Sequence, residues 1–151
     1  MSCYKNDPDT DEVIISMKII DDDDLGVVIE TSLQKIRLAV DNFAQCCEDY
    51  GFEIYDKVLK LEKDYVEEEP GEYGFGEVCF LKHVGSKLIA INWASDEVYK
   101  KVKWKTTECA IVTVETDNDI FHVCLYNERS EYYPHTYSVN WGDFRDSDTF
   151  E

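Results

Sequence analysis

The chain has 151 residues, enough for one domain with its own core, and 13% of them are aromatic, which excludes an intrinsically disordered protein. No apolar run approaches the ~18 residues of a membrane-spanning helix, and the acidic amino terminus is unlike the basic and then apolar start of a signal peptide. The formal net charge of −18 repels nucleic acids and anionic membranes, so a basic protein is the partner that the charge favours.

The cysteines are spread along the chain without the spacing of a disulfide framework. They are Cys3, Cys46, Cys47, Cys79, Cys109 and Cys124. A chain of this length folds without such crosslinks, so we expect reduced thiols in an intracellular protein that is neither secreted nor membrane-spanning.

The amino-terminal part of the chain divides into a tail and a first strand. Residues 1–12 combine four acids with Pro8 and show no apolar period, which predicts a flexible acidic tail before a single domain over residues 13–151. Alternating apolar residues then predict a strand with one apolar face. That face consists of Val13, Ile15, Met17 and Ile19.

Four consecutive acids, residues 21–24, precede Gly26 and predict a solvated turn. An alignment with a calcium-binding EF-hand loop fails, because Ser32 stands where the loop needs a bidentate Glu. Beyond the turn, alternation predicts a hairpin of residues 26–31 against residues 35–41.

The middle of the chain predicts a helix, a strand and an ambiguous segment. Residues 55–66 carry apolar side chains at helical spacing, which favours a short amphipathic helix. Residues 86–94 are apolar on both faces and predict a central strand. Residues 96–104 fit a helix or a strand, and we favour the helix because Asp96 can cap it.

The clearest unit lies near the carboxyl end. Residues 108–116 and 120–128 flank a short polar turn, and the alternating run 135–141 follows, so three antiparallel strands are predicted. The predicted fold class is therefore α+β: a mainly antiparallel β-sheet of six or seven strands with one or two short helices packed on one face.

Cys46 and Cys47 are adjacent, and Glu48 follows them. Adjacent residues of an extended chain point to opposite sides, and zinc ligands are usually separated by two to four residues, so the pair does not suit a metal site. No histidine lies nearby in sequence to activate a catalytic thiolate. We interpret Cys46, Cys47 and Glu48 as a structural corner.

Two stretches of the chain resemble an uncharacterised family of short proteins from phages and large DNA viruses. The first runs from Ala39-Val40-Asp41 into Cys46-Cys47-Glu48, and the second is CLYNERSEYYPHTYSV, with a pair of adjacent tyrosines. The chain is also similar in character to small proteins of the Marseillevirus group. The family has no assigned activity, so the resemblance implies a viral protein of similar fold, located in the host-cell cytoplasm or the virion, and supplies no catalytic residues.

The histidines do not form a motif with one another. Two cysteine–histidine pairs, Cys79 with His83 and Cys124 with His122, each offer two metal ligands, which is too few for a structural zinc site. The chain also lacks a phosphate-binding loop, a zinc-protease motif and a nucleophile elbow. We therefore predict no metal site, no cofactor and no catalytic residue.

Two sets of residues are candidates for contacts with partners. The first is an aromatic edge that suits self-association: Tyr132, Tyr133, Tyr137 and Trp141. The second is a basic segment that suits the acidic face of a second copy: Lys100, Lys101, Lys103, Trp104 and Lys105. Lysines beside Tyr99 and Trp104 also fit single-stranded nucleic acid, which the acidic field of the protein opposes.

These features favour a non-enzymatic viral accessory or virion-associated protein that acts through protein–protein contacts. We expect it to form a homodimer and to meet a basic host or viral protein. Two alternatives stay open. An acidic decoy that mimics DNA requires carboxylates spaced like phosphates along one face, and a thiol- or metal-dependent enzyme requires an activated thiol or a bound ion.

Overall fold

The computed structural model of the chain describes residues 4–5, 9–41, 49–56, 66–69, 72–74, 83–102, 108–128, 136–141 and 144–149. Within these residues the backbone forms twelve β-strands and the helix α1 (Asp96–Lys101). In chain order the strands are β1 (Tyr4–Lys5), β2 (Ile14–Asp21), β3 (Asp24–Thr31), β4 (Lys35–Asp41), β5 (Asp49–Asp56), β6 (Val66–Glu69), β7 (Glu72–Gly74), β8 (Leu88–Trp93), β9 (Glu108–Thr116), β10 (Ile120–Glu128), β11 (Thr136–Trp141) and β12 (Phe144–Thr149).

Ten of the described strands pair into two five-stranded antiparallel sheets. Sheet 1 has the order β1-β8-β9-β10-β5, and sheet 2 has the order β12-β11-β4-β3-β2. The strands β6 and β7 form a separate hairpin. A bridge between Val13 and Lys87 joins the two sheets where the chain enters β2 beside the start of β8.

The two sheets share one core, because strand alternation gives each sheet a continuous apolar face. Burial of each large aliphatic or aromatic side chain in such a core stabilises the fold by about 1.5–3 kcal/mol. The cluster consists of Ile14, Met17, Val27, Ile29, Ile36, Leu38, Val40, Ile54, Leu88, Ile91, Ala110, Val112, Val114, Phe121, Val123, Leu125 and Val139. The predicted mainly antiparallel β-structure is confirmed, but the strands form two packed sheets instead of one.

Helix α1 contacts the outer face of sheet 1, where Val98 and Tyr99 pack against Ile111 and Cys124. The prediction of a helix at this position is confirmed over residues 96–101, but its cap lies one residue earlier. The hydroxyl of Ser95 accepts a hydrogen bond from the Val98 amide at 3.4 Å. Acids in the first turn and lysines in the last turn complement the helix dipole.

The hairpin of β3 and β4 forms as predicted, with the predicted apolar positions buried in both strands. Residues 22–23 form the turn before β3. Gly26 is required where the two strands approach closely, because a Cβ atom there would clash with the Leu38 carbonyl oxygen and lie 2.7 Å from Cα of Ala39. A larger residue at this position would force the strands apart.

The face predicted for β2 is wrong at its start, because the pairing of β2 with β3 is irregular between Ile14 and Ser16. This β-bulge shifts the alternation by one residue. Ile14 is therefore fully buried and Ile15 is 54% exposed, whereas Met17 lies in the core as predicted.

The predicted three-stranded carboxyl-terminal unit is also wrong in its third member. Strands β9 and β10 form a hairpin around residues 117–119, but β10 pairs on its other side with β5. Strand β11 joins sheet 2 between β4 and β12. The helix predicted over residues 55–66 is wrong at both ends, since Tyr55 and Asp56 belong to β5 and Val66 begins β6; residues 57–65 lie outside the described part of the chain.

The predicted flexible tail is wrong for the segment that immediately precedes β2. Glu12 is fully buried, and its carboxylate accepts hydrogen bonds from the Thr31 hydroxyl at 2.6 Å and from Gln34 Nε2 at 2.8 Å. Its carbonyl oxygen accepts a bond from the Leu88 amide at 2.7 Å. Farther toward the amino terminus, Tyr4 and Lys5 pair with β8. Glu12 thus links the turn between β3 and β4 to the first residue of β8.

We expect Glu12→Ala to lower the free energy of unfolding by roughly 1–3 kcal/mol, because it removes the buried acceptor of the Thr31 hydroxyl and of half-buried Gln34 Nε2. The Thr31 hydroxyl keeps the Gln34 carbonyl oxygen at 3.2 Å as an alternative acceptor. Urea denaturation measures this difference. Asp11→Ala is the matched control: Asp11 is exposed and pairs with Lys87 at 3.0 Å, a surface contact worth about 0–1 kcal/mol. Equal effects of the two substitutions would contradict the role of Glu12.

Candidate functional site

The outer face of sheet 1 gathers two thiols, an imidazole and several tyrosines. Cross-strand register places Cys109 opposite Tyr126, and Cys124 opposite Ile111 on one side and Glu53 on the other. We call Cys109, Cys124, Tyr55, Tyr99 and Tyr126 the thiol–tyrosine cluster; with Val98, Ala94, Val102 and Ile111 they form the second apolar cluster of the protein. All of these strand positions alternate with core positions on the same strands.

The site is largely closed to solvent. Cys124 is fully buried, His122 is 5% exposed, and Cys109 is half-buried. The Nδ1 atom of His122 lies 2.8 Å from the hydroxyl of Thr113, its direct cross-strand neighbour. The imidazole is thus held in place by a hydrogen bond, as expected for a histidine buried in a sheet.

The tyrosines around the thiols are held by specific partners. The Tyr99 hydroxyl accepts a hydrogen bond from the Ile111 amide at 2.8 Å, and the Tyr55 hydroxyl donates one to the Glu53 carboxylate. Burial, followed by the hydrogen bond to Glu53, raises the pKa of Tyr55 well above its ordinary value of 10.0. Burial also raises the pKa of Tyr99, and the backbone bond at Ile111 opposes this change.

The two thiols of the cluster are diagonal neighbours on β9 and β10. A hydrogen bond from Cys124 lowers the pKa of Cys109, and burial of Cys109 opposes that shift. Both cysteines are free thiols. Cys109 is therefore the more reactive of the two, because it combines partial exposure with a stabilised thiolate.

Within the part of the chain that the structure describes, no three side chains of His, Cys, Asp or Glu are arranged to hold a metal ion. His122 and Cys124, a pair noted from the sequence, do lie on the same face of β10. His83 is also buried, and its ring packs against Phe121 with 4.4 Å between ring centroids. Its sequence neighbour in the other pair, Cys79, lies outside the described residues.

A second feature, the acidic end, lies where the turn between β2 and β3 meets the start of β5. Asp24 stands directly opposite Asp41 in sheet 2, and Asp49 stands directly opposite Glu128 in sheet 1. The two sheets come together here, because a Cβ atom on Gly51 would lie 3.4 Å from the Leu25 side chain.

Arg37 is the cation that the described structure places among these acids. Its Nη2 atom lies 2.6 Å from Asp24 Oδ2 and 3.8 Å from Asp22 Oδ1. Asp22 Oδ1 also accepts the Asp24 amide at 2.9 Å, which shapes the turn. The predicted solvated turn is present, with residues 21–23 exposed.

The structure gives contacts within the chain to two aromatic residues that were predicted to meet partners. Tyr137 is half-buried at the border of the core and packs edge-on against Trp93 with 6.2 Å between ring centroids, so its interface role stays a prediction. Tyr99 points toward Ile111 and is not free to stack on a base. Lys100 and Lys101 are exposed as predicted, and Lys101 pairs with Glu97 at 3.1 Å.

Several predicted site residues lie outside the part of the chain that the structure describes. They are Cys46, Cys47, Glu48, Lys103, Trp104, Lys105, Tyr132 and Tyr133. Trp141 is described at the backbone only, as the residue of β11 opposite Phe144. The structural corner, most of the basic patch and the tyrosine pair therefore stay predictions.

The sequence analysis did not predict that Cys109 and Cys124 are neighbours on the same face of the sheet. The signal was present, because the turn at residues 117–119 fixes the register of β9 and β10 and places both cysteines on the same face. Glu53 and Tyr55 carried no such signal, since β5 was not predicted as a strand.

No protein-family model, curated protein or solved structure matches this chain. The described residues include no helix of the length and apolar character needed to cross a membrane.

We expect the free energy of unfolding to fall as the pH rises above about 10, because the unfolded chain loses the Tyr55 and Tyr99 protons there while the folded chain keeps them. Below that pH both states hold the protons, so this contribution to stability is complete. Urea denaturation from about pH 9 to pH 11 measures the decline. Tyr99→Phe should reduce its slope, and an unchanged slope in a Tyr55→Phe, Tyr99→Phe double variant would contradict the assignment.

Proposed function

We propose that this chain is a non-enzymatic accessory or virion-associated protein of a virus, that it acts through protein–protein contacts, and that its acidic end binds a basic partner. The proposal rests on two pairs of acidic residues that stand directly opposite each other in the strand register at that end. The pairs are Asp24 with Asp41 and Asp49 with Glu128. The resemblance of residues 39–48 and 124–139 to the viral family supports the viral assignment.

Like charges directly opposite each other on neighbouring strands destabilise a sheet, by roughly 0.2–1 kcal/mol for each pair. Folds tolerate such local conflicts mainly where the side chains serve binding. A basic partner at the acidic end would turn the repulsion into attraction, and the net charge of −18 would speed the encounter. Arg37 offsets part of this repulsion through its contacts with Asp24 and Asp22.

We expect the double substitution Asp21→Asn, Asp23→Asn to weaken binding of a deca-arginine peptide several-fold at low salt, because both side chains lie exposed in the acidic turn. Fluorescence anisotropy of the labelled peptide measures the affinity. The double substitution Asp96→Asn, Glu97→Gln is the control, since it removes the same charge from the start of α1. Equal loss in both variants would mean that only the overall charge matters and would contradict a site at the acidic end.

Self-association is the second contact that we propose, and it is supported by an apolar patch. The exposed large apolar side chains in the described residues are Ile15 (54%), Leu33 (59%) and Val84 (38%). They come from three segments that meet near the start of β2: the Gly85 amide donates to the Ile14 carbonyl oxygen at 2.8 Å, and the Ser32 amide donates to the Val13 carbonyl oxygen at 2.9 Å. Clustered exposed apolar groups of this kind mark contact surfaces.

The apolar patch lies beside the exposed edge of β2, the last strand of sheet 2. Unpaired backbone groups along an edge strand can pair with a second copy, and Ile15 would then be covered by its partner. This patch is a second candidate contact surface beside the predicted aromatic edge that includes Tyr137.

We expect Ile15→Glu to raise the dimer dissociation constant at least ~10-fold, because it places a like charge from each copy in the contact. Sedimentation velocity over a concentration series measures the shift. Asn118→Asp is the control, since Asn118 is exposed in the turn between β9 and β10 and the substitution changes the net charge by the same amount. A wild-type protein that stays monomeric at tens of micromolar would end this part of the proposal.

A further inference from the structure

The proximity of Cys109 and Cys124 follows from the register of the β9–β10 hairpin. Cys109 lies opposite Tyr126, and Cys124 lies opposite Ile111, so the two thiols are diagonal neighbours on the outer face of sheet 1. The twist of the sheet brings side chains on one diagonal closer together. Both cysteines also belong to one apolar cluster: Cys124 is one of its buried members, and Cys109 packs against it.

Diagonal positions suit a bridging atom better than a direct sulfur–sulfur bond. A disulfide needs Cβ atoms about 3.5–4.5 Å apart, whereas diagonal neighbours in a sheet lie nearer 7 Å. When one ion is bound by two thiolates, the two sulfur atoms can lie as far apart as twice the metal–sulfur bond length, which is about 2.3 Å. Two cysteine side chains that converge from diagonal positions can reach this separation. The backbone therefore favours a shared ligand over an internal crosslink.

The surroundings select the kind of ion. Apolar and aromatic groups surround the thiols, with Tyr55, Tyr99 and Tyr126 packed against the same cluster. Glu53, which stands opposite Cys124, accepts a hydrogen bond from the Tyr55 hydroxyl. Hard cations such as magnesium keep bound water and prefer oxygen ligands, so this enclosed pair of sulfur atoms does not suit them. Soft ions such as copper(I) prefer thiolates and are stable with few ligands.

We propose that Cys109 and Cys124 together bind one soft, thiophilic metal ion of the copper(I) class. Binding releases the thiol protons and leaves two thiolates on one cation. Cys109 is the entry point because it is half-buried, whereas Cys124 is fully buried beneath it. This function is separate from contacts made at the acidic end or the apolar patch.

The first experiment locates the ion in the full wild-type chain. One equivalent of copper(I) is added under anaerobic, reducing conditions, iodoacetamide is then supplied, and mass spectrometry measures the alkylation of each cysteine. We expect copper(I) to protect Cys109 in preference to Cys3, Cys46, Cys47 and Cys79. Protection of Cys46 and Cys47 with Cys109 still alkylated would overturn the proposal.

The second experiment measures affinity by competition with a chromogenic copper(I) chelator. Cys109→Ser should weaken binding at least ~10-fold, a loss of about 1.4 kcal/mol or more, whereas the matched variant Cys79→Ser should leave it unchanged. Serine at the half-buried position 109 keeps the size of the side chain, and circular dichroism checks the fold. Equal affinity of the Cys109→Ser and wild-type chains would also overturn the proposal.

Discussion

The alternation of side chains along β10 is the constraint on which the rest of the structure depends. Residues 121, 123 and 125 face the core between the sheets, and residues 122, 124 and 126 face outward, yet all of them except Tyr126 are buried. One strand therefore contributes to two apolar clusters at once. The neighbouring strands β9 and β5 must therefore pair with β10 in a fixed register. A slip of one residue would turn the core side chains of a strand outward and move the side chains of the thiol–tyrosine cluster into the core.

The charge of the protein is distributed in two different ways within the described structure. Away from the acidic end, carboxylates serve the fold: Glu12 is buried among hydrogen-bond donors, and Asp117 accepts the Lys87 amide at 2.9 Å. At the acidic end, acidic residues stand directly opposite each other in the strand register, an arrangement that by itself destabilises a sheet. The structure therefore distinguishes acids that hydrogen-bond within the fold from acids that stand opposite other acids, although composition treats them alike.

Local pattern predicted the parts of this fold whose partners are close in sequence. The hairpin of residues 26–31 and 35–41 and the β9–β10 hairpin follow from alternation and turn chemistry alone. The exposure of Ile15 depends on a bulge, and the pairing of β11 with β4 depends on a distant strand, so neither has a local signal. The same is true of the candidate site. The diagonal placement of Cys109 and Cys124 could have been predicted from the register of the β9–β10 hairpin. The placement of Glu53 and Tyr55 beside them could not, because it depends on the distant strand β5.

The position of β11 between β4 and β12 has a consequence for the synthesis of the protein on the ribosome. Strand β4 emerges from the ribosome first, and the strand that covers its free edge is made about a hundred residues later. Until then the nascent chain carries an open sheet edge beside a fully apolar face, which invites pairing with other nascent chains. Holding chaperones that shield this edge on polysomes would therefore increase the yield of folded protein, and carboxyl-terminal truncations would aggregate early.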